Sequence, residues 1–167
     1  DMIKRVMDIK PVENDIEVTV RSVKYGSPSS GMRYSYGKLD DEKQSKDMEQ
    51  SVAGDYKNNV KLQFVKFKDL DKLNDSVEFS YGYKVKNEIS EIGSLKTFRI
   101  VYPDVVASLD NFSADTRTYP IEFWNYENVD AYETTVNITA PTGTKFVELP
   151  TTETIAFKEL KYSITYT

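Results

Sequence analysis

The residues able to do chemistry in this chain are carboxylates, hydroxyls, lysines and aromatic rings, because it contains no Cys and no His. That removes the commonest nucleophile–base pairs and most zinc sites. A serine nucleophile would need a lysine as its base. The S-x-x-K spacing is missing from the one expected helix, where Ser45 leads to Met48, and no G-x-S-x-G elbow occurs. Carboxylates about 5–10 Å apart would suit glycoside hydrolysis. The 27 acids, however, are spread along the chain with no pair singled out. No catalytic residue is expected.

Two other clusters invite a ligand. Asp69-x-Asp71-x-x-Asn74-Asp75 groups the oxygen donors that calcium takes, but it lacks the glycine and the bidentate glutamate of an EF-hand loop. Asp and Asn also recur in plain hairpin turns, where they bond their own backbone. The expectation is no metal and no cofactor, with Asp69, Asp71, Asn74 and Asp75 as the one calcium candidate. Trp124 and Tyr126, beside Phe123 and Tyr119, form the densest aromatic cluster. Alternation sets Trp124 and Tyr126 opposite Ile121 and Phe123, so one pair faces the core and the other an edge or outer surface. Exposed, Trp124 and Tyr126 would stack on a sugar ring or a partner protein.

Composition narrows the partners. With 22 Lys+Arg against 27 Asp+Glu, the net charge is −5. Lys61, Lys66, Lys68 and Lys72 are close in sequence but flanked by acids, so nucleic acid is not expected. No apolar run approaches the ~20 residues of a membrane-spanning helix, so no membrane insertion is expected. The chain opens on Asp1-Met2-Ile3-Lys4-Arg5 without an initiator Met, which suggests a fragment or processed product. The absence of Cys suits either a reducing or an oxidising compartment.

The elements that would carry these residues are mostly strands. The run 76–86 places Val77, Phe79, Tyr81, Tyr83 and Val85 on one face, the period of a half-buried strand. Ile16, Val18 and Val20 alternate likewise. Val23 and Tyr25 break that phase, which suggests a bulge near Ser22. Residues 26–31 read as a Gly/Ser/Pro loop, followed by a short strand of Met32, Tyr34 and Tyr36. One helix is expected over about 40–58, from an acidic start at Asp41 and a stripe of Met48, Val52 and Tyr56.

Val60, Leu62 and Phe64 then alternate, and Val65 and Phe67 take the opposite phase. Residues 87–94 read as a connector. Phe98, Ile100 and Tyr102 suggest a strand that Pro103 stops. Further strands are expected at 119–124, 131–140, 146–149, 154–157 and 160–166, with Pro141-Thr142-Gly143 as a turn. Short strands at this spacing suggest a mainly β fold, an antiparallel β-sandwich of about ten strands with one helix. The whole of 1–167 reads as one domain, with a softer boundary at 104–118 where regularity drops.

The C-terminal part resembles a known architecture. Arg117-Thr118-Tyr119-Pro120-Ile121, Ile138-Thr139-Ala140-Pro141-Thr142-Gly143 and Val147-Glu148-Leu149-Pro150 occur in that order. They resemble the β-rich C-terminal region of Bacteroidetes transglutaminase-like proteins, in which a domain of unknown function and a papain-like transglutaminase core precede such a region. The resemblance is best over about 111–150. It implies an exported protein, periplasmic or at the cell surface, and Asp75-Ser76-Val77 resembles the O-glycosylation signal of such proteins. The Cys–His–Asp core has no counterpart here, so no catalytic residue carries over. The resemblance thus implies a non-catalytic accessory domain whose partner is an adjacent domain of the same parent protein or another surface protein. A glycan- or protein-binding module using Trp124 and Tyr126 is the alternative.

Overall fold

Val77–Val85 shows how this sequence folds. Its odd-numbered residues are all buried, and Val77 and Val85 are wholly removed from solvent. In the computed structural model this strand, β4, lies inside a five-stranded sheet. The structure describes residues 1–73, 76–102, 130–158 and 160–167. Among them run β1 (Met2–Val12), β2 (Asp15–Tyr25), α1 (Ser27–Tyr36), α2 (Asp41–Gly54), β3 (Val60–Lys68) and β4 (Val77–Val85). There follow β5 (Ser90–Ile92), β6 (Leu95–Thr97), β7 (Ala131–Ile138), β8 (Glu153–Phe157) and β9 (Leu160–Ile164).

The sheet order is β3-β4-β2-β1-β7, and β7 runs parallel to β1 while the other neighbours are antiparallel. Strand pairing puts Met7, Val20, Tyr81 and Val65 side by side on one face, with Val136 beside Met7. That inner face is covered by Met32 and Tyr36 of α1, Met48 and Val52 of α2, and Tyr56 just beyond it. The outer face carries the polar residues of the same strands and is laced by ion pairs such as Arg21–Asp8 and Lys84–Asp15. Exposed pairs of this kind are worth ~0–1 kcal/mol each.

The mainly β class holds, but the sandwich expectation does not describe these residues. They form one mixed sheet and two separate two-stranded ribbons, nine strands in all, with two helices instead of one. Helices close the inner face where a second sheet was expected.

The extra helix, α1, replaces the expected loop and strand. Pro28 sits in its first turn, where the missing N–H is not needed, and the Ser29 hydroxyl donates to the Gly26 carbonyl at 2.7 Å. Met32 and Tyr36 are spaced for both period two and a helical turn. Tyr34 decides between them: at 90% exposed it points away, as a helix requires.

The helix expected over about 40–58 is α2, capped by Asp40, whose carboxylate accepts the Lys43 N–H at 2.9 Å. That bond, then the Lys43 side chain, holds the Asp40 carboxyl below its usual range.

The strands depart from the sequence reading in some places and bear it out in another. No bulge interrupts β2 at Ser22, and the register runs unbroken from Asp15 to Tyr25. Ser22 is an inward position, 2% exposed, and its hydroxyl donates to the Lys4 carbonyl at 3.1 Å. Opposite it lies Arg5, also inward and 5% exposed. Arg5 breaks the apolar rhythm of β1, a strand that no sequence pattern had indicated. The predicted phase change in β3 is real, for its register against β4 shifts between Leu62 and Phe64. The connector at 87–94 holds most of a hairpin, β5–β6, turned at Gly93 with φ +63°.

Residues 98–102 form no strand, although Phe98, Ile100 and Val101 pack against the core. The expected strand at 146–149 is likewise unladdered. The expected strand at 119–124 and the softer boundary at 104–118 lie outside the described residues. None of the described helices is long and apolar enough to cross a membrane.

Candidate functional site

The predicted binding pair, Trp124 and Tyr126, lies outside the described residues. Of the calcium candidates, Asn74 and Asp75 lie outside them as well. Asp69 and Asp71 can be placed. Asp69 heads the turn after β3 with φ +63°, and its carboxylate is 2.7 Å from the Lys72 ammonium and 3.8 Å from that of Lys68. The Lys72 contact is the main cause holding the Asp69 carboxyl below its usual range. Two ammonium groups thus occupy the space a cation would need, and Asp71 is exposed. Among the described residues no group of three or more potential ligands is gathered around a point.

Several other described carboxylates are engaged by scaffold groups. Glu78 meets Lys68, Glu133 meets Lys4, and Glu49 of α2 accepts the N–H of Leu62 at 2.8 Å, covering a free amide of the edge strand β3. These acids hold the scaffold through ion pairs and a backbone bond, and Lys68 serves both Glu78 and Asp69.

The most ordered side-chain array is a row of rings on the inner face. Tyr36, Phe67, Phe79, Tyr81, Tyr83 and Tyr56 follow one another with centroid separations of 4.6 to 6.1 Å. The Tyr56 and Tyr83 hydroxyls meet at 3.1 Å in the interior. Burial raises the Tyr83 phenol well above its ordinary value, and the Tyr56 hydroxyl adds to the effect. Burial likewise raises Tyr36 and Tyr56. The row fills the core and pairs two of its hydroxyls with each other, which makes it packing machinery.

Two features remain open to a partner. The first is a cleft of about 490 Å³ between the end of β7 and the β5–β6 hairpin, with Phe98, Ile138, Phe146 and Val147 among its walls. Its position follows from backbone bonds. Thr139 N–H donates to the Ile9 carbonyl, carrying the β7–β1 pairing one residue past β7, and Ile89 N–H donates to Asn14. Pro141-Thr142-Gly143 then turns the chain as the sequence suggests. The Thr144 N–H and hydroxyl both bond the Pro141 carbonyl, at 3.0 and 2.7 Å, and Gly143 takes φ +81°. The turn sets Lys145 and Phe146 on the rim.

The second feature is the β8–β9 ribbon. One of its faces is polar, where the Thr154 and Ser163 hydroxyls meet at 2.9 Å. On the other, Ile155 faces Tyr162 across the strands, and they stay 60% and 55% exposed. Tyr102 stands close to this face. Burial, with smaller contributions from Tyr166 and Tyr162, raises its phenol above the ordinary value.

No family model, curated protein or solved structure matches this chain.

Sequence reasoning missed the cleft. It assigned Phe98 and Phe146 to strands, whereas both lie on ladder-free segments that fold back to the same place. One local signal was present. Lys145-Phe146-Val147 follows the Pro141-Thr142-Gly143 turn after a single residue, Thr144, and a turn that tight projects the next side chains to one side.

Proposed function

We propose that this chain is a non-catalytic accessory β-rich domain that packs against, or presents, a catalytic domain of the same parent protein. One observation carries the reading. The β8–β9 ribbon turns an apolar cross-strand pair, Ile155 and Tyr162, largely toward solvent, next to Tyr102 and Tyr166. A two-stranded ribbon is marginal by itself in water and gains stability when its apolar face is covered. Aromatic side chains at such a face are the usual anchors of a protein interface. The resemblance of residues 111–150 to transglutaminase-like proteins supports a papain-like domain as the neighbour. It also favours an exported parent, periplasmic or at the cell surface, over a soluble binding module working alone.

The test is to compare the full-length parent with and without this segment. Removing it should lower the melting temperature or the turnover of the catalytic domain. The double variant Ile155→Ser/Tyr162→Ser should reproduce most of that loss while this domain keeps its own melting transition. Unchanged folding and turnover in both cases would dispose of the accessory role. A glycan array hit abolished by Trp124→Ala would favour the binding-module alternative.

A further inference from the structure

We propose that the cleft beside the end of β7 is a binding site for an amphipathic carboxylate, with its apolar body against Phe98, Ile138, Phe146 and Val147 and its head at Lys145. The volume of about 490 Å³ falls in the range of small-ligand sites, roughly 300–1,000 Å³. The walls supply apolar contact without a buried charge, so the body of the ligand must be apolar. Charge decides the head. The chain carries a net −5, yet the lining of this cleft holds two lysines, Lys96 and Lys145, against one acid, Glu13. Lys96 is already engaged at 2.8 Å by Glu91. Lys145 has no acidic partner among the described residues.

The site is also partly prepared. Thr144 ties the Pro141–Gly143 turn with two bonds to one carbonyl, so little ordering is left to accompany binding at Lys145 and Phe146. A flat, uncharged face would suit a protein partner better. A concave apolar cleft whose rim ammonium meets no acid among the described residues suits a small anion with a hydrocarbon or aromatic body. The site shares no residue with the ribbon face invoked for the accessory role, so either proposal can fail alone.

The experiment is a calorimetric titration of the full chain with dodecanoate below its micelle concentration, alongside dodecanol and dodecyltrimethylammonium. Dodecanoate should bind at a single site at least about tenfold tighter than either control. Lys145→Glu and Lys145→Ala should each weaken it, the former by at least about tenfold. Phe146→Ser should weaken all three ligands. Tyr34→Ser, on α1, should leave binding unchanged, and circular dichroism should show every variant melting as the unmodified chain does. Equal affinity for all three head groups, binding at several sites per chain, no binding, or indifference to both Lys145 variants would each overturn the proposal.

Discussion

Phe79 in β4 and Ile155 in β8 occupy equivalent positions in their strands. Each is an apolar residue on an alternating face with an apolar neighbour across the ladder. Phe79 is buried, stacked between Phe67 and Tyr81, on a face that α1 and α2 close. Ile155 meets Tyr162 on a two-stranded ribbon and stays mostly exposed. The same contrast holds for the regions around them. From β1 to β4, apolar strand positions are sealed by helices close in sequence. After β7, Phe146, Val147, Leu149, Ile155 and Tyr162 all remain exposed. Amphipathic alternation states which face wants cover; it does not supply the cover. A region that carries the first without the second is where the proposed partner would dock.

The sharpest way to break that contrast is to truncate one residue in each region. Phe79→Ala should cost ~3–5 kcal/mol in urea unfolding, because it removes a ring from a packed row and leaves a cavity. A loss under about 1 kcal/mol would mean the inner face is loosely packed and the contrast overstated.

Next comes the outer face. Gly82 pairs with Phe64 at the β3 bulge, and a Cβ added there would collide with the Phe64 ring. Gly82→Ala should cost ~1–3 kcal/mol by overpacking. Combined with Phe64→Ala, it should cost less than the sum of the two single changes, since the colliding ring is gone. Strict additivity would show that the ring does not rest on Gly82.

The third probe is pH. Burial raises Tyr83 in the folded chain, whereas an unfolded tyrosine titrates near ~10. Above that pH the unfolded chain holds fewer protons than the folded one, so stability falls as pH rises. Below it the stabilisation is fully present. The urea midpoint should therefore drop between pH 8 and 11, and Tyr83→Phe should flatten the drop. Tyr83→Phe itself should cost about 1 kcal/mol at neutral pH, through the lost bond to Tyr56. An identical slope in wild type and variant would remove Tyr83 from the explanation.

The smallest effect should lie in the ribbon. Ile155→Ala should change the unfolding free energy by less than about 0.5 kcal/mol, and the β8–β9 amides should exchange with solvent far faster than those of β2 and β4. Core-like protection of the ribbon would erase the distinction between the regions.

Much of the scaffold was legible because it obeys one rhythm at a time. β4 alternates without exception, α2 combines an acidic start with a four-residue stripe, and β3 shows its bulge as a change of phase. The misses occur where two rhythms coincide or a polar residue sits inward. Met32 and Tyr36 satisfy both a strand and a helix, and only the direction of Tyr34 separates them. Arg5 and Ser22 face each other on the inner side, hiding β1 and imitating a bulge in β2. The cleft was illegible for a different reason. Its walls come from the end of β1 and the turn after it, the β5–β6 hairpin with the segment that follows, and the end of β7 with the chain beyond, and no local pattern joins stretches so far apart.

The sequence by itself determined which residues alternate, where α2 begins and which reactive groups the chain lacks, because these depend on residue type and near neighbours. Tertiary structure decided that β7 would lie parallel beside β1, that helices would close the sheet, and that Phe98 and Phe146 would share a cleft. The physical reason is that burial is a property of pairs of surfaces. A strand carries its own apolar side wherever it goes, but what meets that side is settled only when distant parts of the chain compete to cover it.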